Sequence, residues 1–241
     1  MSVYQQIPTP PHPATTCAIQ EGSRKNWESG GIKQLVYYSF AGYIISFVQH
    51  CLSFFHKPFM VYGYYNKVTK KYLRDVRISS TVDIINKQKF DVGDNVWINH
   101  YTRIDASTGV KIGEGCQIGS SVGIFSHSSH NAIRLMGRKY MKIPKEQRAG
   151  YITKETEVGE YTFIGSGTYV MAGVKIGKGC VIGTNSVVTK DIPDFSIAVG
   201  SPARVIKSTL DVDKEYFDNP LVRECYFDAD VIQAYQSDGL V

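Results

Sequence analysis

VGEYTFIGSGTYVMAGVKIGKGCVIGTNSVV, residues 158–188, repeats its pattern every six residues. The anchors are Val158, Ile164, Val170, Ile176, Ile182 and Val188. Earlier in the chain the same period runs through Val92, Ile98, Ile104, Ile112, Ile118 and Ile124. All 12 anchors are Val or Ile, which random placement does not produce. Gly follows the anchor at 93, 113, 119, 159, 165, 177 and 183. Four places after the anchor stands a small or β-branched residue, as at Val96, Thr102, Thr108, Cys116, Val122, Ser128, Thr162, Thr168, Val174, Cys180, Ser186 and Ile192. Cys116 and Cys180 therefore read as small interior residues rather than reactive thiols.

A helix cannot carry this pattern. Six is not a multiple of 3.6, and glycine at such density costs about 1 kcal/mol per residue against alanine. Short strands joined by tight turns can carry it. Three six-residue sides make a triangular coil of about 18 residues with Val or Ile inward, and Gly or Asn is expected at the corners. Successive coils then stack by strand pairing at about 4.8 Å. Residues 92–129 predict two coils and 158–193 two more. The two-residue slip between Ile104 and Ile112 predicts a bulge or wider corner near Ser107-Thr108-Gly109. Residues 130–157 lack the repeat and leave the prism as a long loop, a kind of loop that is usually functional.

Outside the repeat the chain changes character. Residues 1–30 read as an irregular arm rich in Pro, Thr and Ser. Residues 34–56 hold no Asp, Glu, Lys or Arg, and Ser39, Gly42, Ser46, Gln49, Ser53 and His56 recur at spacings of three and four. This predicts an apolar helix with a narrow polar stripe. Burial against the prism or a neighbouring subunit is the preferred reading, with contact at a membrane surface and a membrane span as the alternatives. After Lys207, DKEYFDNPLVRECYFDADVIQAY predicts one or two short helices. The domain expectation is thus 1–75 as arm and apolar helical region, 76–207 as coil, and 208–241 as helical tail.

The composition narrows the function. Hydrophobic residues make up 43% of the 241, enough for a buried core. Net charge is +6 over 1–91, −1 over 92–129, +4 over 130–157, +2 over 158–207 and −6 over 208–241. A total of +5, spread in this way, does not argue for nucleic acid. The basic run Arg134, Arg138, Lys139, Lys142, Lys145, Arg148 and Lys154 suits either phosphates or plain solvent. Five cysteines without a CxxC pair speak against a disulfide framework and a cysteine zinc site. The opening MSVYQQIPTPPHP is not a signal peptide, so a cytoplasmic location is expected, with a place at the inner face of the membrane as a variant.

The hexapeptides, followed by VVTKDIPDFSIAVGSPARVIK from Val187 to Lys207, closely resemble the left-handed β-helix acyltransferases. The nearest branch is similar to the galactoside and maltose O-acetyltransferases and their relatives in capsule and lipopolysaccharide synthesis. The resemblance covers 92–207. It implies an all-β fold, a left-handed parallel β-helix built as a triangular prism, with an N-terminal helical region, an excursion loop and a short helical tail. It also implies a homotrimer, acetyl-CoA as donor substrate and a sugar or glycan acceptor.

Acyl transfer to a hydroxyl needs a base for the hydroxyl proton and donors for the developing oxyanion. Histidine suits the first task near neutral pH. The candidates are His127 and His130 in IFSHSSHNAIR, where the chain leaves the coils. The resemblance puts the catalytic histidine about one residue either side of Ser129, and with Arg134 matching the family's run, His130 is preferred. His100 with these two suggests a three-histidine zinc site, but HxxH departs from the HxxxxH of carbonic anhydrases that share the fold, so no metal is expected. Asn99 matches an acceptor-contacting asparagine. The family's acceptor-binding carboxylate falls at Ser107, which is not acidic, and Asp105 nearby occupies a different place. A glycan or glycan precursor is therefore expected rather than a free disaccharide. For coenzyme A the matching positions are Ser166, Thr184, Thr189, Lys190, Arg204 and Lys207, with Phe163 walling the acetyl end. N-acetyl transfer to an amino or nucleotide sugar, and a non-catalytic scaffold, are the alternative functions.

Overall fold

A computed structural model describes residues 39–55 and 57–237. The chain divides into two units, 1–57 and 58–241. In the first, helix α1 covers Phe40–Phe55. The absence of charge and of proline across this stretch allows an uninterrupted helix. No described helix is long and apolar enough to cross a membrane. The predicted helix residues 34–38 and His56 lie outside the described residues.

The second unit begins with an antiparallel hairpin, β1 (Met60–Asn66) and β2 (Lys71–Ser79). From β2 onward the chain coils around three parallel sheets. Face A runs β2, β5 (Trp97–Ile98), β8 (Gln117–Ile118), β13 (Phe163–Ile164), β16 (Val181–Ile182) and β18 (Ser196–Val199). Face B runs β3 (Asp83–Ile85), β6 (Arg103–Asp105), β9 (Gly123–Phe125), β14 (Tyr169–Val170) and β17 (Val187–Val188). Face C runs β4 (Phe90–Val92), β7 (Val110–Ile112), β12 (Thr156–Val158) and β15 (Lys175–Ile176). Chain order cycles A, B, C, so each circuit lays one strand on every face. The final strand on face A, β19 (Arg204–Ser208), turns back antiparallel to β18.

All 12 predicted anchors are at most 2% exposed. Each fully buried side chain of this size contributes about 1.5–3 kcal/mol. The position four after the anchor is also buried at ten of the 12 places, Cys116 and Cys180 among them, and only half-buried at Thr108, in the eight-residue step, and at Ser128. Burial pushes the Cys116 thiol up to about 12 and raises that of Cys180. Ser128 departs from this register because it pairs in a separate two-stranded sheet.

The glycines of the repeat have two roles, one beside the next coil and one at the corners. A Cβ at Gly113 would lie 2.6 Å from the Glu160 nitrogen, and one at Gly159 would lie 2.5 Å from the Gly177 carbonyl carbon. Glycine after the anchor is therefore demanded by the backbone of the next coil. The left-handed turn comes two residues later. There Gly115, Gly167, Gly173 and Gly179 have positive φ, as do Asn95 and Asn185, so Gly and Asn take most corners as expected, while Tyr101, Ser121 and Tyr161 take the same turn with φ between 52° and 59°. Hydrogen bonding between coils holds these turns, as in Tyr161 N–H to the Glu114 carbonyl at 2.7 Å.

The coil begins earlier than Val92. Ile78 on β2 and Ile84 on β3 continue the six-residue spacing, and β3 pairs with β6. The step from Ile84 to Val92 is eight residues, like the step from Ile104 to Ile112. Both extra pairs lie at the corner from face B to face C. A 3-10 turn at Lys87–Lys89 fills the first. The second contains Gly109 at φ 117°, where the bulge was expected. At the next passage of this same corner the long excursion leaves. It is tied at its base by β10 (His127–Ser128) against β11 (Ile152–Thr153). Between them lies α2 (Ala132–Met136), followed by 3-10 turns. Within the excursion the Arg148 guanidinium lies 4.1 Å from the Tyr140 ring centre and donates to the Ile143 carbonyl.

The tail forms three short helices, α3 (Leu210–Asp213), α4 (Pro220–Cys225) and α5 (Ala229–Ser237). Asn219 caps α4 by accepting from Leu221 N–H, and Pro220 opens it. Phe217 is buried between Tyr226 and Tyr235. Phe227 stacks on Tyr161, and Lys178 pairs with Asp228 at 2.5 Å.

Candidate active site

Asp105 ends β6 and His127 begins β10, at the same B-to-C corner on adjacent coils. Pairing sets Asp105 opposite Phe125, two residues before the histidine. The Asp105 side chain is buried. Its Oδ1 accepts from Ser107 N–H at 3.0 Å. Its Oδ2 lies 3.2 Å from His127 Nδ1, a buried nitrogen with no other hydrogen-bond partner in the structure. The contact is a close approach rather than a formed hydrogen bond. A carboxylate facing Nδ1 favours the proton on that nitrogen and leaves Nε2 with a free lone pair. The His127 side chain is 31% exposed, which leaves an outer edge accessible. Tyr151, from the end of the excursion, covers it with ring centres 5.9 Å apart.

His130 is placed differently. It is exposed, and its Nδ1 lies 2.7 Å from Ser128 Oγ. Its carbonyl accepts from Arg134, which also donates to Asn131. His100 belongs to another corner, where its Nδ1 lies 2.6 Å from Ser79 Oγ. Among the described residues no group of His, Cys, Asp and Glu is arranged to hold a metal.

Asn99 also stands at the A-to-B corner. Its side-chain amide donates to the Ile118 carbonyl at 3.1 Å. The proposed donor residues Phe163, Ser166, Thr184, Thr189, Lys190, Arg204 and Lys207 are all exposed. Phe163 lies on face A, Ser166 and Thr184 one above the other at the A-to-B corner, and Arg204 and Lys207 on β19. Thr189 and Lys190 follow β17 and so share the B-to-C corner with His127. Within one chain face B therefore separates most of these residues from His127. From Ser166 to Ala172, one such side is about 20 Å of extended chain. A concavity of about 610 Å³ opens on face C instead, among Lys111, Glu157, Lys175 and Asp191, and neither loop histidine lines it.

Asp105 is the functional candidate that the sequence reading set aside. Its signal was present, since it is a carboxylate in the place after an anchor where seven other anchors are followed by glycine.

The family model of the bacterial transferase hexapeptide (six repeats) matches residues 155–190. That stretch is similar to the repeat of this family. No curated protein matches the chain significantly in sequence. Among solved structures, a hexapeptide-repeat acetyltransferase from Vibrio cholerae is 25% identical with a TM-score of 0.47, over 54% of this chain and 69% of that one. A maltose O-acetyltransferase from Clostridium difficile is 27% identical with a TM-score of 0.44, over 54% and 64%. A galactoside acetyltransferase solved with coenzyme A is 30% identical with a TM-score of 0.46, over 55% and 62%. The chain thus spans between 62% and 69% of the length of each.

Proposed function

We propose that the chain is an acetyl-CoA-dependent O-acetyltransferase acting on a hydroxyl of a sugar or glycan, with His127 as general base. The observation that carries the reading is the approach of Asp105 Oδ2 to the buried Nδ1 of His127. It favours His127 over His130, whose Nδ1 faces only a serine hydroxyl. The hexapeptide array supports the transferase class, and the sequence resemblance supports the left-handed coil, the donor and the acceptor class.

Catalysis then runs in a ternary complex. His127 Nε2 takes the proton of the acceptor hydroxyl as that oxygen attacks the acetyl carbonyl. Asp105 keeps Nδ1 protonated and balances the imidazolium that forms. As the tetrahedral intermediate collapses, the C–S bond breaks and the imidazolium returns its proton to the coenzyme A sulfur. All the donor residues except Thr189 and Lys190 stand away from the corner of His127, so the complete site forms between subunits of a homotrimer. One prism supplies His127, and the other supplies Phe163, Ser166 and Thr184 beside the pantetheine arm, with Arg204 and Lys207 for its phosphates. Asn99 contacts the acceptor, and the excursion covers it.

Thiol release from acetyl-CoA, measured with a panel of hydroxyl and amino sugars, tests this. Turnover with a hydroxyl acceptor is expected, falling at least a hundredfold in His127→Ala and less than fivefold in His130→Ala. The reverse order returns the base to His130. Turnover only with amino sugars makes the enzyme an N-acetyltransferase. No thermal shift with coenzyme A removes the transferase reading.

A further inference from the structure

We infer that helix α1 and the outer face of the β1–β2 hairpin each dock on an anionic lipid bilayer, an inference that does not rest on the proposed chemistry. The first observation is α1. Its 16 residues carry no charge, and Phe40, Tyr43, Ile44, Ile45, Phe47, Val48 and Leu52 are all exposed, Phe47 at 61%. A helix apolar on nearly every side needs a buried setting. At about 24 Å it is shorter than the hydrocarbon core of a bilayer, so it suits insertion from one side rather than crossing.

The second observation is independent and lies in the other unit. On the outer face of the β1–β2 hairpin, Tyr65 stands opposite Tyr72, and Tyr62 stands opposite Arg77. The Arg77 guanidinium lies 5.4 Å from the Tyr62 ring centre and 5.5 Å from that of Trp97. Tyr62 is 68% exposed and Tyr72 is 65% exposed. Tyr72 lies across Gly63, whose missing side chain leaves it room. The inner face bears Tyr64 and Leu73, packed against the core. Rings with an apolar body and a polar tip are suited to the headgroup level of a bilayer.

Charge selects the occupant. From 57 to 77 there are six cations, Lys57, Lys67, Lys70, Lys71, Arg74 and Arg77, against one carboxylate, Asp75. That stretch alone holds as much net positive charge as the whole chain. Lys57 lies over the Phe54 ring at 5.1 Å, with its ammonium near the end of the apolar helix. Taken each by itself, the apolar helix suits the hydrocarbon edge of a bilayer, and the tyrosines and cations of the hairpin suit negatively charged headgroups. A second copy of this chain would bring the same positive charge to the contact.

Co-sedimentation of the full chain with vesicles tests the inference without any substrate. The probes are phosphatidylcholine alone and phosphatidylcholine with 30% phosphatidylglycerol. Binding is expected to be at least tenfold tighter to the anionic vesicles and to weaken with salt. Replacing Lys67, Lys71 and Arg74 together with Gln should weaken it about a hundredfold. Ile44→Ser with Phe47→Ser should weaken binding to both vesicle types at least tenfold. Both variants should keep the parent melting temperature and native mass. Binding to neither vesicle, or equal binding to both that ignores the cations, overturns the inference. A change of native mass on altering Ile44 and Phe47, without vesicle binding, would assign the helix to a second copy.

Discussion

Replacing Asp105 with Asn separates electrostatic steering from simple packing at the candidate site. Ser107 N–H binds Oδ1, so the asparagine must keep its carbonyl oxygen on that side. Its NH2 then faces His127 Nδ1, where the carboxylate oxygen now lies at 3.2 Å. Two donors cannot share that contact, so the proton leaves Nδ1 and settles on Nε2. The base then holds a proton where it needs a lone pair. Losing the contact to a charged group costs about 1.5–3 kcal/mol, roughly ten- to 150-fold in rate. The wrong tautomer can raise this toward 10⁴. We expect kcat with acetyl-CoA and a hydroxyl acceptor to fall between a hundred and ten thousandfold. The KM for acetyl-CoA should stay within threefold, because Asp105 is not among the donor residues. The melting temperature should change little, since volume and the Ser107 bond are kept. A variant with more than half the parent kcat, and the same pH profile, would refute the role given to Asp105.

Three further outcomes follow from the coil. Gly159→Ala sets a methyl against the Gly177 and Lys178 backbone and should cost about 1–3 kcal/mol. By calorimetry this is a fall in melting temperature of about 3–10 °C. In the native chain, maleimide labelling at pH 7.5 should modify Cys51 and Cys225 and spare Cys116 and Cys180 until the chain is denatured. Lys178 holds the Asp228 carboxyl below its ordinary value of 3.8. Its stabilising effect is therefore present above pH 4 and is lost as pH falls through the lower folded value. Asp228→Asn should lower the melting temperature at pH 7 and reduce the difference between pH 7 and pH 3.

The core was legible because one rule, a branched aliphatic every six residues, serves every coil. Ile78 and Ile84 obey it too, but the eight-residue step before Val92 hid them. The hairpin was missed for a different reason. Its outward tyrosines and lysines alternate with inward Tyr64 and Leu73 only over a short stretch, and a bulge at Gly63 breaks the register. The site was half legible. A histidine at the exit of the chain could be found from position, but the pairing of Asp105 with His127 is across coils. The 21 intervening residues hold no local cue for it, because the contact is made by stacking.

One corner of the prism absorbs every irregularity in length. Two added residues are taken up there on the first circuit, two more on the second, and some thirty on the third. Yet β12 rejoins β7 with Thr156, Glu157 and Val158 opposite Val110, Lys111 and Ile112. The frame is thus indifferent to what is inserted at that edge. Length and sequence at that edge can therefore change freely while the spiral around it keeps its register.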